Sequence, residues 1–312
     1  MSLSEIFNTQ RSILQQVEIP DLVQRGIKLF VKRDDLIHSE VSGNKWRKLK
    51  YNIEQVYQGK FEGVLTFGGA FSNHLVATAS ACNQLGLKSI GFVRGDELNV
   101  NSNETLARCH SLGMELRFLP REEYALRNDK QYIHELQSEN LGYLPVPEGG
   151  ANYLGVIGCQ EIAQEIDMPI DHLFIAQGTT TTSCGVLIGK KENTKLHVVP
   201  VLKGFHARET MHEILKYVLL DEEYASELIS EVIFHSEDHF GGYGKYTDEL
   251  IQFIQEMYHS YQVPLDFVYT GKAFFAMLKA LRTGNYDNQT VVFIHTGGLQ
   301  GNGEVVLGIG AF

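Results

Sequence analysis

The sequence predicts an α/β fold in which mostly parallel β-sheets carry helices on both faces. Short apolar runs alternate with longer segments whose apolar residues recur near the helical period. Glycine-rich turns follow several of the apolar runs, as they do where a parallel strand leads into the next helix. The chain has 312 residues, of which 43% are hydrophobic, so it can fill the cores of two domains or one large one.

The apolar runs predict strands, and the amphipathic segments between them predict helices. Strands are expected at residues 63–66, 89–93, 115–119, 172–176, 197–200 and 290–295. Helices are expected at residues 73–85, 101–112, 122–139, 153–165, 208–219, 247–258 and 272–281. Two further helices are expected to begin at Lys45 and near Ser183. The segment Leu144 to Gly150 is the best candidate for a crossing between domains, because it is rich in proline and glycine.

The composition argues against several classes of protein. A net charge of -11 without long basic runs speaks against nucleic acid as a partner. The four cysteines form no C-x-x-C pair, so we expect reduced, buried thiols, and no histidine motif indicates a metal. The segment Met1 to Gln16 mixes polar residues into its apolar ones, unlike a signal peptide, and no apolar run reaches membrane-spanning length. We therefore expect a cytoplasmic protein without a membrane partner.

A basic segment near the start of the chain can supply a reactive amine. In the segment Ser42 to Leu49, Lys45 begins a helix whose Leu49, Ile53 and Val56 would face the core. A lysine amine attacks an aldehyde only when it is neutral, so burial or the neighbouring charges of Arg47 and Lys48 would have to lower its pKa. The alternative is a solvated basic helix start, and this segment alone does not decide between the two interpretations.

The loop Gln177 to Thr182 can supply a phosphate site. An expected strand leads through Gly178 into a helix, so backbone N–H groups and threonine hydroxyls converge at one point. The spacings typical of nucleoside triphosphate and dinucleotide loops are absent. A lysine for an aldehyde and a loop for a phosphate monoester are the two protein elements that pyridoxal 5'-phosphate requires, so the pair indicates this cofactor.

The residues Ser72, Asn73 and His74 follow the Gly68-Gly69 turn and begin an apolar helix. Ser72 or Asn73 can cap that helix. The same helix start can also bind the α-carboxylate of an amino acid, since its amides are free and its side chains are polar. Capping and substrate binding are compatible here.

Seven motifs, which together extend over nearly the whole chain, resemble those of one enzyme family in order. They lie at residues 31–36, 43–49, 72–74, 178–182, 242–244, 268–272 and 295–298. The chain thus resembles the 1-aminocyclopropane-1-carboxylate deaminase and D-cysteine desulfhydrase family, within the tryptophan-synthase-β-like (fold type II) pyridoxal-phosphate enzymes. The resemblance implies two open, twisted, mostly parallel sheets, a large domain of residues 1–47 and 146–312, a small domain of residues 48–145, and a homodimer.

The resemblance also implies roles for individual residues. Lys45 would form the Schiff base with the cofactor, and Asn73 would bond its phenolic oxygen. The other residues that would hold the cofactor are Gly178, Thr179, Thr180, Thr181, Thr182 and Thr296. The residues that would surround a small amino-acid substrate are Ser72, Asn73, His74, Tyr243, Tyr269 and Thr270. Lys45, Ser72, Tyr243 and Tyr269 are the candidate catalytic residues, and which of them acts as the base stays open.

Two threonines bear on which reaction the resemblance implies. Deaminase-like sequences typically carry Glu after the second tyrosine and Leu after the histidine of the His-x-Gly-Gly turn, whereas this chain carries Thr270 and Thr296. A threonine hydroxyl can serve a neutral pyridine nitrogen, which suits elimination of a good leaving group. D-cysteine desulfhydrase-type elimination to pyruvate, ammonia and hydrogen sulfide is therefore favoured. The alternatives are 1-aminocyclopropane-1-carboxylate deaminase and a non-catalytic α/β ligand-binding protein.

Overall fold

The computed structural model describes residues 3–204 and 206–302, and all elements below lie in these ranges. The strands are β1 Leu14–Val17, β2 Lys28–Lys32, β3 Gly63–Gly68, β4 Lys88–Arg94, β5 Glu115–Leu119, β6 Tyr143–Val146, β7 His172–Gln177, β8 Lys195–Pro200, β9 Ile233–Phe234 and β10 Thr290–Ile294. The helices are α1 Leu3–Ile6, α2 Pro20–Gln24, α3 Asn44–Gln55, α4 Asn73–Leu85, α5 Glu104–Ser111, α6 Arg121–Tyr124, α7 Lys130–Glu139, α8 Tyr153–Gln164, α9 Thr181–Gly189, α10 Ala207–Leu219, α11 Glu222–Ser230, α12 Asp248–Tyr261 and α13 Thr270–Thr283. Every helix in the described ranges is too short or too polar to cross a membrane.

The chain divides into two compact units, and each contains one sheet. The smaller unit combines Met1–Asn8 with Lys45–Gly158, and the larger unit combines Thr9–Asn44 with Cys159–Phe312. Both sheets are mostly parallel and are flanked by helices, which confirms the predicted fold class. The domain bounds given by the resemblance stay predictions. The chain passes between the compact units after Asn8, Asn44 and Gly158.

The first residues of the chain belong to the smaller unit because an aromatic pair attaches them. The ring of Phe7 stacks on that of Trp46 in α3, with the centroids 3.9 Å apart. Both side chains are buried, so the pair removes a large apolar surface from water. The sequence analysis counted residues 1–8 with the large domain, since a contact between residues so far apart in the chain leaves no local signal.

The smaller unit is built on a parallel sheet with the strand order β5-β4-β3-β6. Strand β6 occupies the segment that the sequence analysis had assigned to a domain crossing. Pro145 of β6 lies opposite Leu65 of β3. Since β6 is an edge strand, the missing N–H of this proline removes no second ladder bond.

The larger unit is built on a sheet with the strand order β1-β2-β10-β7-β8-β9, in which only the β1–β2 pair is antiparallel. Its core lies against α12 and α13, whose Ile254, Phe274 and Met277 are fully buried. The sequence analysis missed β1, β2 and β9. Two of these are edge strands, and edge strands need no long apolar run.

The helix predicted at residues 122–139 is two helices, α6 and α7. Asp129 interrupts it, because its Oδ1 accepts hydrogen bonds from the backbone N–H groups of Gln131 and Tyr132 at 3.0 and 2.9 Å. These bonds make Asp129 the N-cap of a new helix. The four cysteines are buried, reduced thiols, as predicted.

Three histidines form a hydrogen-bonded chain in the larger unit. His172 Nδ1 lies 2.9 Å from His197 Nε2, and His197 Nδ1 lies 2.9 Å from His235 Nε2. The ring of His197 also stacks on Phe174 at a centroid distance of 4.0 Å. Burial lowers the pKa of all three histidines, and it lowers the pKa of His197 to about 2. The fold therefore requires neutral imidazoles here.

We expect acid to destabilise the larger unit through these histidines. The pKa of His197 falls from 6.5 in its ordinary state to about 2 in the fold, so the unfolded chain binds more protons between these values. His197 therefore lowers the free energy of unfolding as the pH falls below 6.5, by about 1.4 kcal/mol per pH unit. Urea unfolding between about pH 5 and 7.5 measures this slope.

The variant His197→Phe should reduce the slope by about 1.4 kcal/mol per pH unit, because it removes one titrating group. The control Phe174→Leu removes packing against the same ring but no titrating group. It should lower the free energy of unfolding at every pH and leave the slope unchanged. A slope in His197→Phe equal to that of the parent protein would contradict this assignment.

Candidate active site

Lys45 lies in the first turn of α3, as the sequence predicts. Leu49 and Ile53 of this helix are fully buried, which confirms the predicted core face. Arg47 and Lys48 are also buried, with 0% and 2% of their surfaces exposed. Charged side chains are almost never buried unless they are paired or needed by a site. The alternative of a solvated basic helix start is therefore wrong.

Ser72, Asn73 and His74 lie together at the start of α4, in the same unit as Lys45. Ser72 is the N-cap, and its Oγ accepts a hydrogen bond from the N–H of Leu75 at 3.3 Å. A Cβ atom on Gly68 would lie 2.6 Å from this oxygen, so the approach of the turn to the cap requires glycine. The predicted capping role is confirmed, and the cap leaves the hydroxyl proton of Ser72 for another acceptor.

The starts of α3 and α4 act on one another electrostatically. Burial, followed by the positive charges of Lys48 and Lys45, lowers the pKa of His74 to about 3. His74 Nε2 lies 2.9 Å from Thr66 Oγ1 on β3. The predicted amine and the predicted carboxylate-binding loop thus occupy one electropositive region of the smaller unit.

The threonine loop of the larger unit connects β7 to α9. Thr180 is the N-cap of α9 and has a φ of 65°, a left-handed conformation that is rare for a β-branched residue. Among the described residues, Thr180 Oγ1 has no hydrogen-bond partner, and neither polar atom of the Gln177 side chain has one. Both side chains are buried. Strain and unsatisfied polar atoms at one loop indicate a site that a ligand completes.

The chemistry of this loop fits a phosphate monoester. α9 begins at Thr181, slightly earlier than predicted, so the loop presents the first N–H groups of a helix next to threonine hydroxyls. A Cβ atom on Gly178 would lie 2.8 Å from the ring of Tyr269, so glycine is required for the close approach of this ring. Gln177 was not among the predicted site residues, and only its position before the glycine pointed to it.

Asn44, the residue directly before Lys45, makes two hydrogen bonds within the larger unit. Its side-chain amide donates to Thr182 Oγ1 at 3.0 Å, and its backbone N–H donates to the carbonyl of Thr296 at 3.1 Å. Gly43 has a φ of 57°, and a Cβ atom there would lie 2.1 Å from the same carbonyl. The Gly-Asn pair before the lysine therefore has a structural reason, which the sequence analysis did not give.

The two predicted tyrosines lie close together in the larger unit. The rings of Tyr243 and Tyr269 make an edge contact with their centroids 6.0 Å apart. Lys272 donates to the carbonyls of His239 and Gly242 at 3.0 and 2.7 Å, and so holds the turn before Tyr243. Burial lowers the pKa of Lys272 to about 8.

A buried aspartate organises the turn that carries Tyr269 and Thr270. Asp266 accepts hydrogen bonds from the backbone N–H groups of Val268, Tyr269 and Thr270. Its Oδ1 also accepts the hydroxyl proton of Thr270 at 2.6 Å. The expected role of Thr270 beside a pyridine nitrogen stays a prediction. To donate to that nitrogen, the Thr270 hydroxyl would have to break its hydrogen bond to Asp266. The sequence analysis missed Asp266.

The predicted site residues thus form two groups, one in each unit. The group in the smaller unit is Lys45, Ser72, Asn73 and His74, and the group in the larger unit is Gly178, Thr179, Thr180, Thr181, Thr182, Tyr243, Tyr269, Thr270 and Thr296. Their individual roles stay predictions. Within the described part of the chain, no three side chains of His, Cys, Asp or Glu are placed to hold a metal ion.

The chain is similar in sequence to known proteins over most of its length. The chain is 31% identical over 287 residues to a putative 1-aminocyclopropane-1-carboxylate deaminase of Pyrococcus horikoshii, covering 88% of this chain and 86% of the relative. It is 29% identical to the bifunctional D-cysteine desulfhydrase/1-aminocyclopropane-1-carboxylate deaminase, mitochondrial, of Arabidopsis thaliana, covering 88% of this chain and 73% of the relative.

Solved structures show the same fold. An ACC deaminase homologue has a TM-score of 0.78 and 27% sequence identity, covering 96% of this chain and 94% of that one. A serine racemase of Dictyostelium discoideum, 16% identical, shares the fold with a TM-score of 0.66 over 95% of both chains. Residues 13–297 match the family model described as "Pyridoxal-phosphate dependent enzyme". This chain therefore belongs to the family of pyridoxal-phosphate dependent enzymes.

Proposed function

We propose that this protein eliminates the Cβ substituent of a small amino acid, with D-cysteine as the substrate and pyruvate, ammonia and hydrogen sulfide as the products. The observation that carries the proposal is the residue after Tyr269, which is the uncharged Thr270, bonded to Asp266. The resemblance associates a hydroxyl residue at this position with desulfhydrases. The relative from Arabidopsis thaliana carries D-cysteine desulfhydrase in its name.

The unsatisfied polar atoms of the threonine loop support its assignment as the site that would hold pyridoxal phosphate. Thr180 Oγ1 and the N-terminus of α9 would donate to the phosphate, and Lys45 would supply the amine. When bound, the cofactor supplies an aldehyde that condenses with an amino group and a ring that withdraws electrons from Cα.

The start of α4 would bind the carboxylate of the substrate. The hydroxyl proton of Ser72 is available to a carboxylate oxygen, because the capping bond uses the oxygen of Ser72 as an acceptor. The helix N-terminus and the nearby charges of Lys45 and Lys48 favour an anion there. This arrangement orients Cα and leaves the side chain of the amino acid for other contacts.

The bonds broken in the reaction determine which proton transfers the remaining residues must carry out. Cysteine and one water give pyruvate, ammonia and hydrogen sulfide, so the Cα–H and Cβ–S bonds break and the leaving sulfur ends protonated. A base must therefore take the Cα proton. Lys45, Ser72, Tyr243 and Tyr269 are the candidates, and kinetics of single variants would separate them.

A second candidate function is 1-aminocyclopropane-1-carboxylate deaminase, because several relatives at about 30% identity carry that name. Both functions use the same carboxylate site and the same amine. The homodimer and the cytoplasmic location belong to the proposal as well, and the homodimer rests on the family resemblance.

Replacement of Lys45 by Ala should abolish the visible absorbance band of the bound cofactor, because the amine that forms the Schiff base is gone. Borohydride should bleach the band of the parent protein. The control is Lys50→Ala on the same helix, which should keep the band. An unchanged spectrum in Lys45→Ala would contradict the assignment of this lysine.

The variant Gly178→Ala should bind pyridoxal phosphate at least about 10-fold more weakly, because its methyl group would press on the Tyr269 ring at 2.8 Å and displace the loop. Cofactor affinity can be measured by fluorescence titration of the protein stripped of cofactor. Gly301→Ala is the matched control, since its Cβ would meet only the Val268 side chain at 4.0 Å. Equal cofactor affinities in the two variants would show that the threonine loop does not bind pyridoxal phosphate.

The substrate is tested by measuring release of 2-oxo acid from D-cysteine, L-cysteine, D-serine and 1-aminocyclopropane-1-carboxylate. We expect D-cysteine to have the highest kcat/KM, because thiolate is a better leaving group than hydroxide. Activity on the cyclopropane alone would show that Thr270 and Thr296 do not indicate a desulfhydrase. No 2-oxo acid from any of the four would reject both candidate functions.

A further inference from the structure

The proton positions on His74 follow from its neighbours. Thr66 Oγ1 donates its only proton to the carbonyl of Val146 at 2.7 Å. The same oxygen lies 2.9 Å from His74 Nε2, so it must accept a hydrogen bond there, and Nε2 carries the proton. Because burial and the charges of Lys48 and Lys45 lower the pKa of His74 to about 3, the ring is neutral at physiological pH. His74 Nδ1 therefore presents a lone pair.

This lone pair is buried and has no partner among the described residues. A buried acceptor without a donor destabilises the fold, so such an atom indicates a ligand that supplies the donor. A carboxylate oxygen is itself an acceptor and cannot fill this role. The partner of Nδ1 must therefore carry an S–H, O–H or N–H group.

A glycine packs beside the ring of His74. Gly150 has a φ of 70°, and a Cβ atom there would lie 3.6 Å from His74 Cε1 and 2.9 Å from Lys48 Cβ. Cε1 is bonded to both ring nitrogens, so Gly150 lies at the end of the ring. His74 is also two residues from Ser72, where the proposed carboxylate site lies.

We propose that His74 Nδ1 accepts a hydrogen bond from a donor on the side chain of the substrate, an S–H or O–H group at Cβ. This proposal rests on the proposed function and names the feature that would select the substrate. D-cysteine and D-serine carry such a donor. The cyclopropane ring of 1-aminocyclopropane-1-carboxylate carries none, so His74 favours elimination substrates over the cyclopropane.

The test compares two amino acids that differ in the donor. β-Chloro-D-alanine resembles D-cysteine in size and has a good leaving group but no S–H. Two variants of similar side-chain size are compared: His74→Leu removes the acceptor, and His74→Asn keeps one at a similar distance from the backbone. In the holoenzyme, His74→Leu should lower kcat/KM for D-cysteine about 3- to 10-fold relative to β-chloro-D-alanine, mainly through KM. His74→Asn should restore part of this loss.

Equal losses for both substrates in His74→Leu would overturn the proposal, because His74 would then only shape the site or accept from a lysine. A second measurement needs no turnover. Two-dimensional NMR of the ¹⁵N-labelled protein, with the His74 signals identified by their loss in His74→Asn, should show the proton on Nε2 and none on Nδ1. A proton on Nδ1 would also overturn the proposal. If the parent protein releases 2-oxo acid from neither compound, the proposed function is wrong. The NMR experiment then still shows which nitrogen of His74 carries the proton.

Discussion

The hydrogen bonds of Asn44 are the contact on which the candidate site of the larger unit depends. One side chain and one backbone group connect this residue to Thr182 in the threonine loop and to Thr296 after β10. These two segments follow neighbouring parallel strands, so the sheet order brings them together at one edge. Asn44 directly precedes Lys45, the lysine that the sequence predicts to be reactive.

Unsatisfied polar atoms distinguish the functional parts of the molecule from the structural ones. The polar side-chain atoms of His172, His197 and Asp266 are buried and hydrogen-bonded, so they stabilise the fold without requiring a ligand. Gln177, Thr180 and His74 are buried with polar atoms left over. Each of these lies next to a residue that the sequence analysis had assigned to cofactor or substrate. A folded protein can retain buried, unsatisfied polar atoms at a site where a bound ligand supplies their hydrogen bonds.

Much of the fold was predictable because its signals are local. Helix α4 has a serine cap, an apolar face and a terminal glycine, and its predicted bounds agree with those found. Strands β3, β4, β5 and β7 are apolar runs of ordinary length and were also predicted. Strand β6 was missed because Pro145 and Pro147 argue against a strand in this segment. The break between α6 and α7 was missed because a single aspartate causes it.

The sequence by itself determined the α/β class and the family, because these follow from periodicity and from motifs in a fixed order, and it predicted the amine and phosphate segments. Only the tertiary structure decided that Arg47 and Lys48 are buried, that Asp266 holds the hydroxyl proton of Thr270, and that the buried Nδ1 of His74 has no partner among the described residues. Protonation and hydrogen-bond direction depend on which distant residues meet. Thr66 and Val146 lie 80 positions apart in the chain, yet their contact fixes which nitrogen of His74 carries the proton.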